Sequence, residues 1–105
     1  MAVYKNIVSS GGVTQELIKF GSPIGEIRSI SIANIDSTAT ATSLFLQNNP
    51  PTGQEAETIY IIKNVQIPAG ATLIIDDPGL LGFNQNIFGL YVTLDPAKSL
   101  DIIIN

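Results

Sequence analysis

The chain has 105 residues, of which 45% are hydrophobic and 13% are charged, and its net charge is −4. It contains neither cysteine nor histidine, which excludes disulfide frameworks, thiol nucleophiles, histidine-dependent catalytic triads and the usual zinc sites. Its five basic residues are scattered along the chain, so we expect no nucleic-acid partner. The length predicts a single domain spanning residues 1–105.

Hydrophobic residues alternate with a period of two along most of the chain, and no window shows a helical stripe. This pattern predicts an all-β fold. The predicted strands cover residues 4–8, 14–20, 27–35, 40–47, 58–66, 71–75, 88–94 and 100–104. Eight short strands without a helix predict a single antiparallel β-sandwich of the jelly-roll or immunoglobulin-like kind.

Turn signals separate these strands. Gly11 and Gly12 are free to take positive φ angles and suit a hairpin, whereas Pro50 and Pro51 mark the clearest break in the chain. At residues 34–37, asparagine and aspartate side chains can bond back to the local backbone, and residues 68–70 predict a tight turn. Each turn should deliver the next strand in a fixed register.

Alternation also predicts which side chains face the core. The inward set is Ile30, Ile32, Leu44, Leu46, Ile59, Ile61, Leu73, Ile75, Leu90, Val92, Leu94, Leu100, Ile102 and Ile104. Four further apolar side chains alternate to the opposite face, namely Tyr60, Ile62, Ile74 and Ile103. Either strand twist, bulges and loops cover these four, or they form a subunit interface made by one sheet face or an edge strand.

An unusual segment follows the sixth strand, at residues 79–86. It has the glycines and asparagines of a turn but also contains Leu80, Leu81 and Phe83. We expect Leu80 and Leu81 to form a short extra strand that caps the sandwich, and the alternative is an apolar contact for a neighbouring molecule. This segment and the Pro50-Pro51 loop are therefore candidate partner contacts.

Few residues indicate chemistry. Asp76 and Asp77 are adjacent acids, but without the alternating spacing of a calcium loop they favour a solvated turn. The tyrosines and phenylalanines could form a sugar platform, although Tyr60 and Tyr91 are better interpreted as cross-strand packing partners. We therefore predict no catalytic residues, no cofactor and no metal site, and we do not expect an enzyme.

We expect no targeting signal in this chain. Its first residues lack the basic and apolar regions of a signal peptide, and no apolar stretch approaches the ~20 residues of a membrane helix. We expect synthesis in the cytoplasm and no membrane partner.

The chain contains two motifs of strand and turn residues, Ser-Ile-Ser-Ile-Ala-Asn-Ile-Asp at residues 29–36 and Ile-Pro-Ala-Gly-Ala-Thr-Leu at residues 67–73. These motifs resemble the β-sandwich structural proteins of tailed-phage virions. The resemblance implies a non-enzymatic virion component, either a head decoration protein or a small neck or tail connector. It also implies self-association into a homo-oligomer and binding to capsid or tail proteins. The alternative is a carbohydrate-binding or receptor-binding module of a tail or fibre.

Overall fold

The computed structural model describes residues 2–8, 14–48 and 53–105. Within these residues the chain forms eight strands and one helical turn: β1 Val3–Val8, β2 Gln15–Ile18, β3 Ile30–Asn34, β4 Thr40–Asn48, β5 Thr58–Ile67, β6 Thr72–Ile75, α1 Pro78–Leu81, β7 Phe88–Leu94 and β8 Ser99–Ile104. The eight predicted strands are confirmed, with ends that shift by three residues or fewer. The predicted Gly11-Gly12 hairpin turn lies outside the described residues.

The strands form two four-stranded antiparallel sheets. Sheet I has the order β1-β8-β3-β6, and sheet II has the order β2-β7-β4-β5. The pairs β1·β8, β2·β7, β3·β6 and β4·β5 are nested, as in one long hairpin rolled up, and β3·β8 and β4·β7 complete the sheets. This is the order of a jelly roll and not of an immunoglobulin-like sandwich. The predicted β-sandwich is confirmed, and its topology is the first of the two expected kinds.

The core lies between the inner faces of the two sheets. Most of the predicted inward side chains are buried there, with Leu44, Leu90 and Leu100 fully enclosed. Ile59 is an exception: it pairs with buried Leu46 but remains 43% exposed. The reason is that β5 is an edge strand, so the side chain at its beginning has no neighbouring strand on one side.

The predicted outward position of Ile62 is wrong. Ile62 pairs with the fully buried Leu44 and packs against the core, next to Ile61. The register of β5 against β4 shifts twice, between Thr42 and Leu44 and again between Leu44 and Phe45. Each bulge inserts a residue and resets the alternation, so a period-two pattern assigns Ile62 to the wrong face.

Asn34 joins the two sequence motifs that stand at residues 29–36 and 67–73. Its side chain is buried, and its amide nitrogen donates to the carbonyl oxygens of Thr38 and Ile67, each at 2.9 Å. Its amide oxygen accepts the N–H of Asp36 at 2.9 Å, as expected for this loop start. Its backbone carbonyl accepts the N–H of Gly70 at 3.0 Å. The buried amide is thus fully satisfied, which makes it an anchor between β3 and the end of β5.

The turn after β5 has the predicted geometry. The N–H of Ala71 donates to the carbonyl of Pro68 at 3.0 Å, and Gly70 has a φ angle of 73°. A positive φ at the third residue is the requirement of a type II turn, which glycine meets without strain. The turn therefore sets the register of β6 against β3.

Candidate interaction surfaces

The outer face of sheet I carries a cross-strand row that is apolar on three of its four strands. Cross-strand pairing places Tyr4 beside Ile103, Ile103 beside Ser31, and Ser31 beside Ile74. Tyr4 is 71% exposed, Ile74 is 61% exposed and Ile103 is 41% exposed. Because Ser31 separates the two isoleucines, Ile103 and Ile74 do not cover one another.

The same face continues into a polar row and then a second apolar margin. Asn6 pairs with Asp101, and the Asn6 amide donates to the Asp101 carboxylate at 2.7 Å. Beyond this pair, Val8 lies opposite Ser99, whose carbonyl accepts the N–H of Ile35 at 3.4 Å. Val8 and Ile35 are both exposed. Five of the nine large hydrophobic side chains that are exposed in the described residues therefore lie on or beside this face.

Charge is nearly absent from sheet I. Its four strands contain only Lys5 and Asp101 as charged residues, and their signs cancel. The net charge of −4 therefore resides elsewhere in the chain. Interface centres are depleted of charged residues, so this composition suits a contact surface.

A shallow groove divides the row at the boundary between β1 and β8. It is lined by Tyr4, Lys5, Asn6, Asp101, Ile102 and Ile103. One wall is apolar and the other is the hydrogen-bonded Asn6–Asp101 pair. The groove is therefore a part of the sheet I face and not a separate site.

The outer face of sheet II also has a cross-strand row, but its members cover one another. Phe45 pairs with Tyr60 on one side and with Tyr91 on the other. The Phe45 ring lies 5.3 Å from the Tyr60 ring and 5.9 Å from the Tyr91 ring, centroid to centroid. Phe45 is only 6% exposed as a result. The predicted cross-strand packing of Tyr60 and Tyr91 is confirmed, with Phe45 between them.

Polar side chains complete the cover on sheet II. The Lys63 ammonium lies 4.9 Å from the centroid of the Tyr60 ring, a cation–π contact. The N–H of Asn64 donates to the hydroxyl of Ser43 at 2.9 Å, and that hydroxyl donates to the Asn64 amide oxygen at 3.3 Å. Asn64 has a φ angle of 51°, a left-handed conformation that asparagine tolerates. The bulges of β5 thus place Lys63 and Asn64 over the outer face.

Tyr91 reaches along its own strand over Gly89. A Cβ atom at Gly89 would lie 3.0 Å from the Tyr91 hydroxyl and 2.8 Å from the carbonyl oxygen of Ile18. Burial raises the pKa of Tyr91 above its ordinary value of 10.0, and the charge of Glu16, its partner on β2, raises it further. The neutral phenol is therefore the favoured form in the folded state.

The segment after β6 forms a plug at one end of the sandwich. Residues 78–81 are one turn of helix, so the extra strand expected for Leu80 and Leu81 is wrong. The cause is local: the Asp77 carboxylate accepts the N–H of Gly79 at 2.8 Å, and Pro78 occupies the first turn. Leu81 is buried in the core, and only Leu80 remains exposed.

Phe83 belongs to the same plug. It is half-buried and packs against the core. The Gln85 side chain holds this segment to the β2–β3 connection, since it accepts the N–H of Ile24 at 2.7 Å and donates to the carbonyl of Gly25 at 2.7 Å. The plug is thus tied to the sandwich by apolar and polar contacts.

The structure does not bring the predicted partner contacts together. Tyr60 lies on the outer face of sheet II and Ile74 on the outer face of sheet I, at opposite sides of the sandwich. Pro50 and Pro51 lie outside the described residues. The sequence-based prediction of partner contacts did not include Tyr4 and Val8. Both have the opposite parity to the buried Ile7, which places them on the outer side of β1.

No protein-family model matches the chain, and no curated protein matches it. In the part of the chain that the structure describes, no helix has the length and apolar character needed to cross a membrane.

Proposed function

We propose that this chain is a non-enzymatic structural subunit of a tailed-phage virion, as a head decoration protein or a small connector, and that it contacts other virion proteins through the outer face of sheet I. The observation that carries the proposal is the exposed apolar row formed by Tyr4, Ile103 and Ile74. Tyr4 and Ile103 are adjacent in this row, and Ser31 lies between Ile103 and Ile74. A cluster of exposed apolar side chains on one face marks a contact site in soluble proteins.

The size of this face supports a repeated contact and not a single strong one. Its strands have four to six residues and lie about 4.8 Å apart, which gives a flat area of roughly 300 Å². Stable binary interfaces bury about 800 Å² on each partner. A weak contact becomes effective when many identical copies bind one symmetric lattice. This is the situation of a subunit that adds to a particle already assembled.

The two motifs that resemble virion proteins form one structural unit. They meet at Asn34, whose buried amide binds the carbonyl of Ile67. A buried, fully hydrogen-bonded asparagine requires both segments together, so the motifs are more than two independent turns. This convergence supports the resemblance as one of architecture.

The test compares the two outer faces. The variant Ile74→Ser with Ile103→Ser removes apolar surface from sheet I, and Tyr60→Ser is the matched control on sheet II. We expect both proteins to fold and only the first to lose incorporation into particles of the phage that encodes the chain. Incorporation of the double variant at the wild-type level would overturn the assignment of the face.

Protein counting by mass spectrometry on purified particles tests the function itself. A copy number close to that of the major capsid protein would support a decoration role, and about a dozen copies would support a connector in a symmetric ring. Absence of the chain from particles would contradict the proposal.

A carbohydrate-binding role is the second candidate, because Tyr60 is 45% exposed and lies in one aromatic row with Phe45 and Tyr91 on sheet II. Sugars stack on open aromatic faces, whereas Lys63 lies over one face of the Tyr60 ring. Binding in a glycan array that is lost in Tyr60→Ala and in Tyr91→Ala would favour this role over the assembly role. Phe83→Ala is a control, since this ring packs against the core.

A further inference from the structure

The four edge strands of the sandwich are protected to different degrees. An exposed edge offers unpaired N–H and C=O groups to another strand, and proteins block such edges with bulges, short strands or charges. In this chain β2 has four residues and a bulge, β6 has four residues, and β5 has two bulges, with Lys63 in the second. Three edges therefore carry a device against pairing with another chain.

The remaining edge, β1, is regular. Its six residues pair with β8 without any register shift, and it contains neither proline nor glycine. Among the described residues no strand lies on its other side. Tyr4, Lys5, Asn6 and Val8 are all exposed. Lys5 is the one charge on this strand, so β1, with six residues and no bulge, is the least protected of the four edges in the described part of the chain.

We propose that β1 pairs antiparallel with β1 of a second copy of this chain, about a two-fold axis that passes between the two Asn6 residues. A two-fold axis perpendicular to the sheet keeps the inner faces of both copies on the same side. Each residue must therefore pair with a residue whose side chain points to the same face. The two copies of sheet I then form one continuous eight-stranded sheet. The inference concerns the purified chain alone and does not depend on the proposed virion role.

Side-chain pairing selects the Asn6-centred register. It places Tyr4 opposite Val8 of the second copy, an aromatic and β-branched pair of the favourable kind, and it occurs twice by symmetry. A Lys5-centred register would set two ammonium groups directly opposite each other, which is destabilising. A Tyr4-centred register would leave Val8, which is 59% exposed, without a partner.

The lack of native cysteine makes the register measurable. In Asn6→Cys the two Cα atoms would lie about 4.5 to 5.5 Å apart, within the range of a disulfide. In Lys5→Cys the equivalent atoms would lie about 8 Å apart, which is too far. Tyr4→Cys reports the other rival register. Thr72→Cys is the matched control, because Thr72 is exposed in the same cross-strand row as Asn6 but at the opposite edge of sheet I.

The experiment measures disulfide-linked dimer in a redox buffer for each purified variant, beside sedimentation of the wild-type chain over a range of concentrations. We expect a concentration-dependent dimer and a cross-linking rate in Asn6→Cys at least about tenfold above that of the other three variants. A faster rate in Lys5→Cys or Tyr4→Cys would overturn the register. Equal rates in Asn6→Cys and Thr72→Cys, or a wild-type chain that stays monomeric, would overturn the pairing itself.

Discussion

The two outer faces of this sandwich differ in how far neighbouring side chains cover their apolar residues. On sheet II, Phe45 is enclosed between Tyr60 and Tyr91, and Lys63 extends over the edge of the row. On sheet I, Ile103 and Ile74 are separated by Ser31 and remain exposed. One face thus covers part of its apolar surface with its own side chains, and the other leaves Ile103 and Ile74 exposed.

The difference teaches that exposure alone does not identify an interface. Tyr60 and Ile103 have nearly the same exposed fraction, 45% and 41%. Their neighbours distinguish them, because Tyr60 contacts Phe45 and Lys63 whereas Ile103 pairs with a serine on one side. We therefore expect substitutions on the outer face of sheet II to reduce stability and substitutions on the outer face of sheet I to reduce association.

The largest expected effect is on stability, at Phe45. Phe45→Ala removes a buried ring that supports two tyrosines, and we expect a loss of about 3 kcal/mol in the free energy of unfolding. Ile103→Ala on the other face should lose under about 1 kcal/mol. Denaturant unfolding of both variants checks the contrast, and equal losses would contradict it.

Gly89→Ala should come next, with a loss of about 1 to 3 kcal/mol from overpacking. The added Cβ would meet the carbonyl oxygen of Ile18 at 2.8 Å and the Tyr91 hydroxyl at 3.0 Å. Because the closer atom belongs to the backbone, the same substitution in a Tyr91→Phe background should remain destabilising. Full recovery in that background would show that the hydroxyl alone is the obstacle.

Asn64→Ala should cost about 1 to 2 kcal/mol, because alanine is strained at a φ angle of 51°. Asn64→Gly restores the backbone freedom and loses only the side-chain contact with Ser43. Thermal unfolding of the two variants separates strain from hydrogen bonding. If glycine is as destabilising as alanine, strain is not the reason for asparagine at this bulge.

The smallest effect concerns pH and Tyr91. Its pKa is raised in the folded state, first by burial and then by Glu16, so the unfolded chain ionises at a lower pH than the folded one. The contribution of Tyr91 is fully present below its ordinary pKa of 10.0 and is lost as pH rises through the higher folded value. Stability of the wild-type chain should therefore fall more steeply above about pH 9 than that of Tyr91→Phe. Parallel curves would refute the assignment.

The sequence predicts the strands well because alternation is a local signal. It fails at Ile62, because a bulge between Tyr60 and Ile62 resets the alternation in a run that contains no glycine or proline to mark it. The left-handed Asn64 that follows is a weak marker of the second bulge. At α1 the signal was present, since Asp77 followed by Pro78 is a helix start, but the helix lasts a single turn.

The candidate surface was harder to predict than the strands. Ile74 and Ile103 were identified as outward, but Tyr4 joins them only through the order β1-β8-β3-β6. That order pairs residues from opposite ends of the chain, such as Tyr4 and Ile103. No local pattern encodes such neighbours, so the face becomes visible only in the folded molecule.

The nested pairing of the jelly roll implies an order of folding. The β4·β5 pair joins consecutive strands, whereas β1·β8 joins residues as distant as Val3 and Ile104. Closing a longer loop has a larger entropy cost, so the sandwich should assemble from β4·β5 outward and add β1 last. The strand that completes the fold is thus also the longest edge without a bulge among the described residues. During synthesis, a neighbouring chain could capture β1 before its own β8 does, and exchange of this strand is the expected form of misassembly.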